Sequence, residues 1–238
     1  MDEIEPFSPP KNAASVTQDN QIIEACYKLS LNEKRLLLIG MSKIDPLAFP
    51  TGKASFEITA AEWNKLFPQD ANPWRAMNRA ASKMLTRYVT YHPRVGIKEM
   101  VSWFDAVRYY EGEGRIKVTL GMSITTRLQG MLTQFTKVNL LDVSKMNSFF
   151  SIRLYELVSQ FRATGYRRIS VEDFRFALNC VDSYKGVKEL KRSVIIPSVK
   201  EVNEKADFEL DCHDVKRGRR IVGFEFIVRE KEQGDLFK

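Results

Sequence analysis

Five residues near the C-terminus, Lys216-Arg217-Gly218-Arg219-Arg220, carry four cations and no acid. Charges this crowded repel one another unless an anion lies near, and a phosphate backbone is a polyanion that suits them. An ordinary charged turn in solvent is the competing reading. A second set, Lys188, Lys191, Arg192 and Ser193 with Lys200 further on, joins cations to a hydroxyl. These side chains can read donors and acceptors on the floor of a DNA groove, while phosphate contacts hold a protein in register. The third set, Arg75, Arg79, Lys83 and Arg87, recurs at intervals of four. On a helix it forms one cationic stripe, compatible with phosphate contact or with a solvated face.

Other chemistries find little support. His92 and His213 form no His-x-His or His-x-x-x-His pair, so a metal site built on histidine is not expected. No Gly-x-x-x-x-Gly-Lys-Ser/Thr loop is present to cradle a nucleotide. Tandem Tyr109-Tyr110 could serve a nicking nuclease with a tyrosine nucleophile. That chemistry needs a metal-binding histidine pair, and both tyrosines fall in an expected strand, so core packing is the better account. Cys26, Cys180 and Cys212 are odd in number and lack CxxC spacing, which predicts reduced core thiols. The chain is therefore expected to be no enzyme and to carry no cofactor.

The composition agrees with a soluble nucleic-acid binder. With 238 residues there is room for one large domain or two small ones, and 44% hydrophobic content supports a core. A net charge of +7 favours a polyanionic partner. The longest apolar run, near Leu36 to Met41, falls far short of a membrane span, and the acidic, Pro-bearing N-terminus has no signal-peptide core. A cytoplasmic protein with no membrane partner is expected.

The elements that must carry these cations are marked by an internal repeat. Ile58-Thr-Ala-Ala-Glu-Trp-Asn-Lys-Leu-Phe67 is echoed by Ile169-Ser-Val-Glu-Asp-Phe-Arg-Phe-Ala-Leu178. In each, a hydroxyl residue caps a short helix and an acid follows three places on. A basic amphipathic segment and then alternating strand residues follow both copies. Helices are expected over about 20–29, 30–41, 60–67, 72–88, 149–163, 171–178 and 185–205, with one or two more in 122–145. Pro197 should kink the long helix. Strands are expected over about 99–109 and 115–120, joined at Glu111-Gly-Glu-Gly114, and on either side of the 216–220 tip. Helix, helix, hairpin, twice over, predicts an α+β fold of two tandem winged-helix domains. Their expected limits are 19–145 and 146–230, between a flexible N-terminal arm over 1–18 and a flexible tail over 231–238.

The residues also resemble a known family. Ala25-Cys-Tyr-Lys-Leu-Ser30 with Asn32-Glu-Lys-Arg-Leu-Leu-Leu38, Ala80-Ala-Ser-Lys-Met-Leu-Thr-Arg87, Ser151-Ile-Arg-Leu-Tyr-Glu-Leu157 and Leu190-Lys-Arg-Ser-Val-Ile-Ile-Pro-Ser-Val-Lys-Glu-Val202 carry the likeness. They are similar to segments of the iteron-binding replication initiators of bacterial plasmids. The resemblance implies monomers that bind direct repeats in double-stranded DNA at a plasmid origin, help melt adjacent DNA and recruit the host initiator and replicative helicase. It also implies homodimers, joined through the first domain, that repress their own gene at an inverted repeat. The main groove contacts would fall on Lys188, Lys191, Arg192, Ser193 and the hairpin cations. The tail Gln233-Gly-Asp-Leu-Phe237 is similar to the short peptide that docks on the bacterial sliding clamp, through Gln233, Leu236 and Phe237. A winged-helix repressor with no replication role is the alternative function.

Overall fold

The computed structural model describes residues 15–44, 53–94, 96–129 and 135–231. Strand β1 (Ser15–Asp19) leads into helices α1 (Asn20–Glu24) and α2 (Leu31–Ser42). Strand β2 (Ser55–Thr59), α3 (Ala60–Leu66) and α4 (Pro73–Met84) follow. Next come β3 (Tyr88–Arg94), β4 (Ile97–Ser102), β5 (Phe104–Tyr110) and β6 (Arg115–Leu120). Helix α5 (Met122–Gln129), β7 (Phe135–Asn139) and α6 (Leu140–Ser144) close the first module. Helix α7 (Phe149–Ser159) leads to the second, with β8 (Tyr166–Ser170), α8 (Val171–Ala177), α9 (Val187–Leu190), a π-turn over Lys191–Ile195, α10 (Ile196–Lys205), β9 (Phe208–Arg217) and β10 (Arg220–Glu230).

Both modules place three helices against an antiparallel sheet, of order β2-β6-β5 in the first and β8-β10-β9 in the second. The last two strands of each form the wing. The repeat explains the match. Thr59 accepts from the Glu62 amide while Glu62 accepts from the Thr59 amide, two orphan donors satisfied reciprocally. Ser170 caps α8 through the Asp173 amide, but the shorter Asp173 carboxylate reaches only the Ser170 hydroxyl. The apolar partners Ile58 and Ile169, Trp63 and Phe174, Phe67 and Leu178 are all buried. In the second sheet β8 passes so close to Gly223 that an added Cβ would lie 2.6 Å from the Ile169 carbonyl oxygen.

Several expectations need correction. Ser15–Gln18, assigned to the N-terminal arm, belong to β1, which pairs antiparallel with β7 so that Val16 faces Val138. The alternation was hidden because the inward position after Val16 is Gln18, a polar residue whose amide is buried against Glu156. The helix over 20–29 stops at Glu24, since the Ile23 and Ala25 carbonyls accept from Arg153 and Cys26 bridges to Thr90. The helix over 72–88 ends at Met84, and Tyr88 opens a β3–β4 hairpin that the apolar period had concealed. The segment 122–145 contains β7 between its two helices.

The expected kink at Pro197 takes the form of the π-turn. The Ile196 amide reaches back to the Lys191 carbonyl, and α10 restarts with Pro197 in its first turn, where a missing donor is harmless.

Arg153 and Glu156 do more than pair across one turn of α7. Arg153 donates to the Tyr27 hydroxyl at 2.5 Å, to Glu156 at 2.9 Å and to the Ile23, Ala25 and Ala177 carbonyls. Lys34 of α2 meets Glu156 at 2.6 Å, and the side chains of Lys34, Arg153 and Glu156 are fully buried. This network joins β1, the α1–α2 connection and α2 to α7 and α8. Burial pulls the Lys34 ammonium down to about 8, with Glu156 opposing that pull. Burial alone would raise Glu156, yet Lys34 and Arg153 hold it below the usual carboxylate range.

Candidate nucleic-acid interface

The segment 187–205 sorts its side chains by face. Leu190, Val194, Ile195, Ser198 and Val202 are buried, whereas Lys188, Arg192, Ser193, Ile196, Pro197 and Lys200 are exposed. Apolar burial therefore fixes the rotation of the helix and presents the cations outward. Lys188 and Arg192 meet no carboxylate within ion-pair distance among the described residues, and Lys200 has only the distant Glu204, 3.9 Å away on the exposed face. Lys191 differs. Its ammonium lies 2.6 Å from Asp214 of β9 and ties the helix to the wing.

The entry to this helix is held by Arg175. Its guanidinium donates to the Ser183, Tyr184 and Lys185 carbonyls at 2.8, 2.6 and 3.1 Å, and more weakly to Cys180. The loop needs such a clamp because Asn179 and Tyr184 both adopt left-handed φ angles, 49° and 54°, which side chains other than glycine rarely adopt. Sequence reasoning passed over Arg175, since nothing in its spacing marks a residue that binds a later loop.

Lys216, Arg217, Arg219 and Arg220 are all exposed at the wing tip. Arg217 and Arg220 face each other across the ladder, and the two-residue turn between them begins with Gly218 at φ +62°, the position a hairpin of this type reserves for glycine. Among the described residues none of the four has an acid within ion-pair distance. The wing and the exposed helix face are thus coupled through Lys191 and Asp214.

In the first module Arg75, Arg79 and Lys83 are exposed along α4 and line a groove of about 560 Å³ with Ser30 and Asn32 at the start of α2. Arg87 lies beyond the helix end and makes a bidentate pair with Glu33, at 2.9 and 3.0 Å. Burial would raise Glu33, but the bonds from Arg87 and Ser30 outweigh it and leave the carboxylate lowered. This wing tip is not cationic, because Arg115 is taken up by Glu57 and Glu113 at 2.7 and 2.6 Å.

The remaining chemistry-bearing residues are scattered. Tyr109 shares a 2.7 Å hydrogen bond with Ser82, and the Tyr110 ring lies 3.6 Å from the Arg115 guanidinium carbon. His92 lies tilted against Phe176, 4.8 Å between ring centres. Burial raises the Cys26 thiol and pushes Cys180 and Cys212 to about 11 and about 12, so these thiols stay protonated near neutral pH. Among the described residues no group of three or more His, Cys, Asp or Glu side chains could hold a metal ion, and no helix is long and apolar enough to cross a membrane. Gln233, Leu236 and Phe237, the expected clamp peptide, lie outside the described residues.

A cationic helix and wing displayed by one of two tandem winged helices define a class of DNA-binding protein. Family models agree with that class: one for the Initiator Replication protein, WH1, matches residues 15–159, and one for the Initiator Rep protein, WH2, matches residues 170–228. The chain belongs to this family of replication initiators. The first match runs through α7, the helix whose Arg153 and Glu156 are buried against the first module. An uncharacterised 27.6 kDa protein of Escherichia coli is 26% identical over 205 residues, covering 80% of this chain and 85% of the relative. A replication initiation protein of Escherichia coli is 24% identical over 230 residues, covering 93% and 71%. In fold, the chain is similar to the Pi initiator protein solved in complex with iteron DNA, with a TM-score of 0.78 and 16% identity over 94% of this chain and 100% of the other. Domains 2 and 3 of RctB share the fold more loosely, at a TM-score of 0.52 and 6% identity over 95% of each chain.

Proposed function

We propose that this chain is a sequence-specific, non-catalytic initiator of plasmid replication that binds repeated duplex sites at its origin in the cytoplasm. The observation that carries this reading is the unneutralised exposure of Lys188, Arg192 and Ser193 on one helix face, coupled by Lys191–Asp214 to a wing tip with four free cations. The helix reads base edges and the wing grips phosphates. The fold is similar to that of Pi, a protein solved in complex with iteron DNA, which supports duplex DNA as the partner. Lys191 acts as a tether, and Arg87 braces α2. The first module contributes Arg75, Arg79 and Lys83 as a secondary contact and carries self-association, consistent with its neutralised wing. Repression of its own gene by a homodimer, recruitment of the host initiator and helicase, and clamp docking through Gln233, Leu236 and Phe237 complete the proposal.

Footprinting of the full chain across the DNA flanking its gene tests this directly. Protection of a direct-repeat array beside an AT-rich stretch is expected; protection of a single inverted repeat alone would instead support the repressor without a replication role. Replacing both Arg217 and Arg219 by Ala should weaken binding on any duplex and reduce the slope of log affinity against log salt by about 0.9 for each phosphate no longer neutralised. An unchanged slope in gel-shift titrations removes the wing from the interface. Cleavage of single-stranded origin DNA that depends on Tyr109 or Tyr110 would overturn the non-catalytic reading.

A further inference from the structure

We propose that Ile196 is a specificity-determining residue that reads the C5-methyl group of a thymine in the major groove; this rests on the helix docking proposed above. Ile196 is 59% exposed, more than any other large hydrophobic side chain among the described residues. Its chain neighbour Ile195 is buried, so the exposure is not a property of a loose segment. Ile196 sits four residues after Arg192 and four before Lys200, in the middle of the outward cationic face.

The backbone holds it there. A stripe at four-residue spacing drifts around a regular helix of about 3.6 residues per turn, and the wider π-turn over Lys191–Ile195 offsets that drift. The same turn ends on the bond from the Ile196 amide to the Lys191 carbonyl, and Lys191 is itself fastened to Asp214. Beta-branching further limits the side chain to few rotamers, so little freedom is lost on contact.

What surrounds Ile196 selects its partner. An apolar protein surface would have to accept Lys188, Arg192 and Lys200 alongside it. A duplex satisfies those cations with phosphates and acceptors, and the thymine methyl is the apolar group that its major groove offers. Burial of this isoleucine against that methyl would exclude water from both.

The test begins with duplexes selected by the full chain from a randomised library, with each thymine of the selected site then replaced by deoxyuridine. Wild-type protein should lose roughly three- to tenfold in affinity at one thymine position, the scale of one buried methyl. Ile196→Ala should lose the same factor on the unmodified site, bind unrelated duplex as wild type does, and show no further loss at that position. If the wild type and Ile196→Ala respond alike to every deoxyuridine, the assignment is wrong. An Arg192→Ala arm separates this from the underlying reading. If Arg192→Ala and Ile196→Ala both bind the selected duplex as tightly as wild type, the helix does not read DNA and both proposals fall. If Arg192→Ala is weakened while the deoxyuridine scans remain alike, only the role of Ile196 falls.

Discussion

Lys191 and Arg192 are adjacent in the chain, both cationic, and destined for different work. The difference lies in one acid. Asp214 takes up the Lys191 ammonium, while Arg192 points outward with no acid at ion-pair distance among the described residues. The same division separates Arg87, clasped by Glu33, from Arg75, Arg79 and Lys83. Cation type and spacing were legible in the chain; the acid that claims a particular cation comes from a distant segment and was not. Arg192→Ala should therefore weaken binding to the specific repeat by about 1–3 kcal/mol while leaving non-specific binding nearly unchanged. Competition gel shifts with the two duplexes measure this, and an equal loss on both would show that Arg192 contacts phosphate. Ile196 illustrates the opposite failure of spacing, since an isoleucine in a helix reads as core until its exposure is seen.

At the level of elements, the local signals were strong wherever a residue bonds within its own turn. Ser30, Thr59 and Ser170 open helices as their positions indicated, because a cap needs only a hydroxyl and an amide two or three residues apart. Elements that end for long-range reasons were misjudged. Arg153 competes for the carbonyls of Ile23 and Ala25 and so helps halt α1, and β1 exists through its pairing with β7. Arg153→Met should destabilise the chain by about 3–5 kcal/mol, since it leaves a buried carboxylate short of a partner and several buried carbonyls unsatisfied. Urea denaturation reads this loss. A change below about 1 kcal/mol would mean that solvent reaches the network when Arg153 is removed.

Across the whole molecule, Lys34, Arg153 and Glu156 place two cations and one carboxylate in a single buried cluster between α2 and α7. Because burial lowers Lys34 from its usual 10.5 to about 8, the unfolded chain binds more protons than the native one between those values. This group therefore costs stability below pH 8 and releases that cost as pH rises towards 10.5, by at most about 1.4 kcal/mol per pH unit. The raised thiols act in the opposite sense above their usual 9.0. They are common to both proteins when wild type is compared with Lys34→Met. The stability of wild type relative to Lys34→Met should rise between pH 8 and pH 10, as followed by urea midpoints. A constant difference would show that Lys34 stays charged throughout. By itself, the order of residues determined the repeated helix–helix–wing plan, the helix caps and the cationic segments, because those depend on neighbours within a few residues. Only the tertiary structure decided which cations remain free, where α1 stops, that β1 and the β3–β4 hairpin form, and how a buried ion cluster joins α2 to α7. Those outcomes depend on which distant donor, acceptor or charge arrives first at each group, and that information is spread over the whole chain.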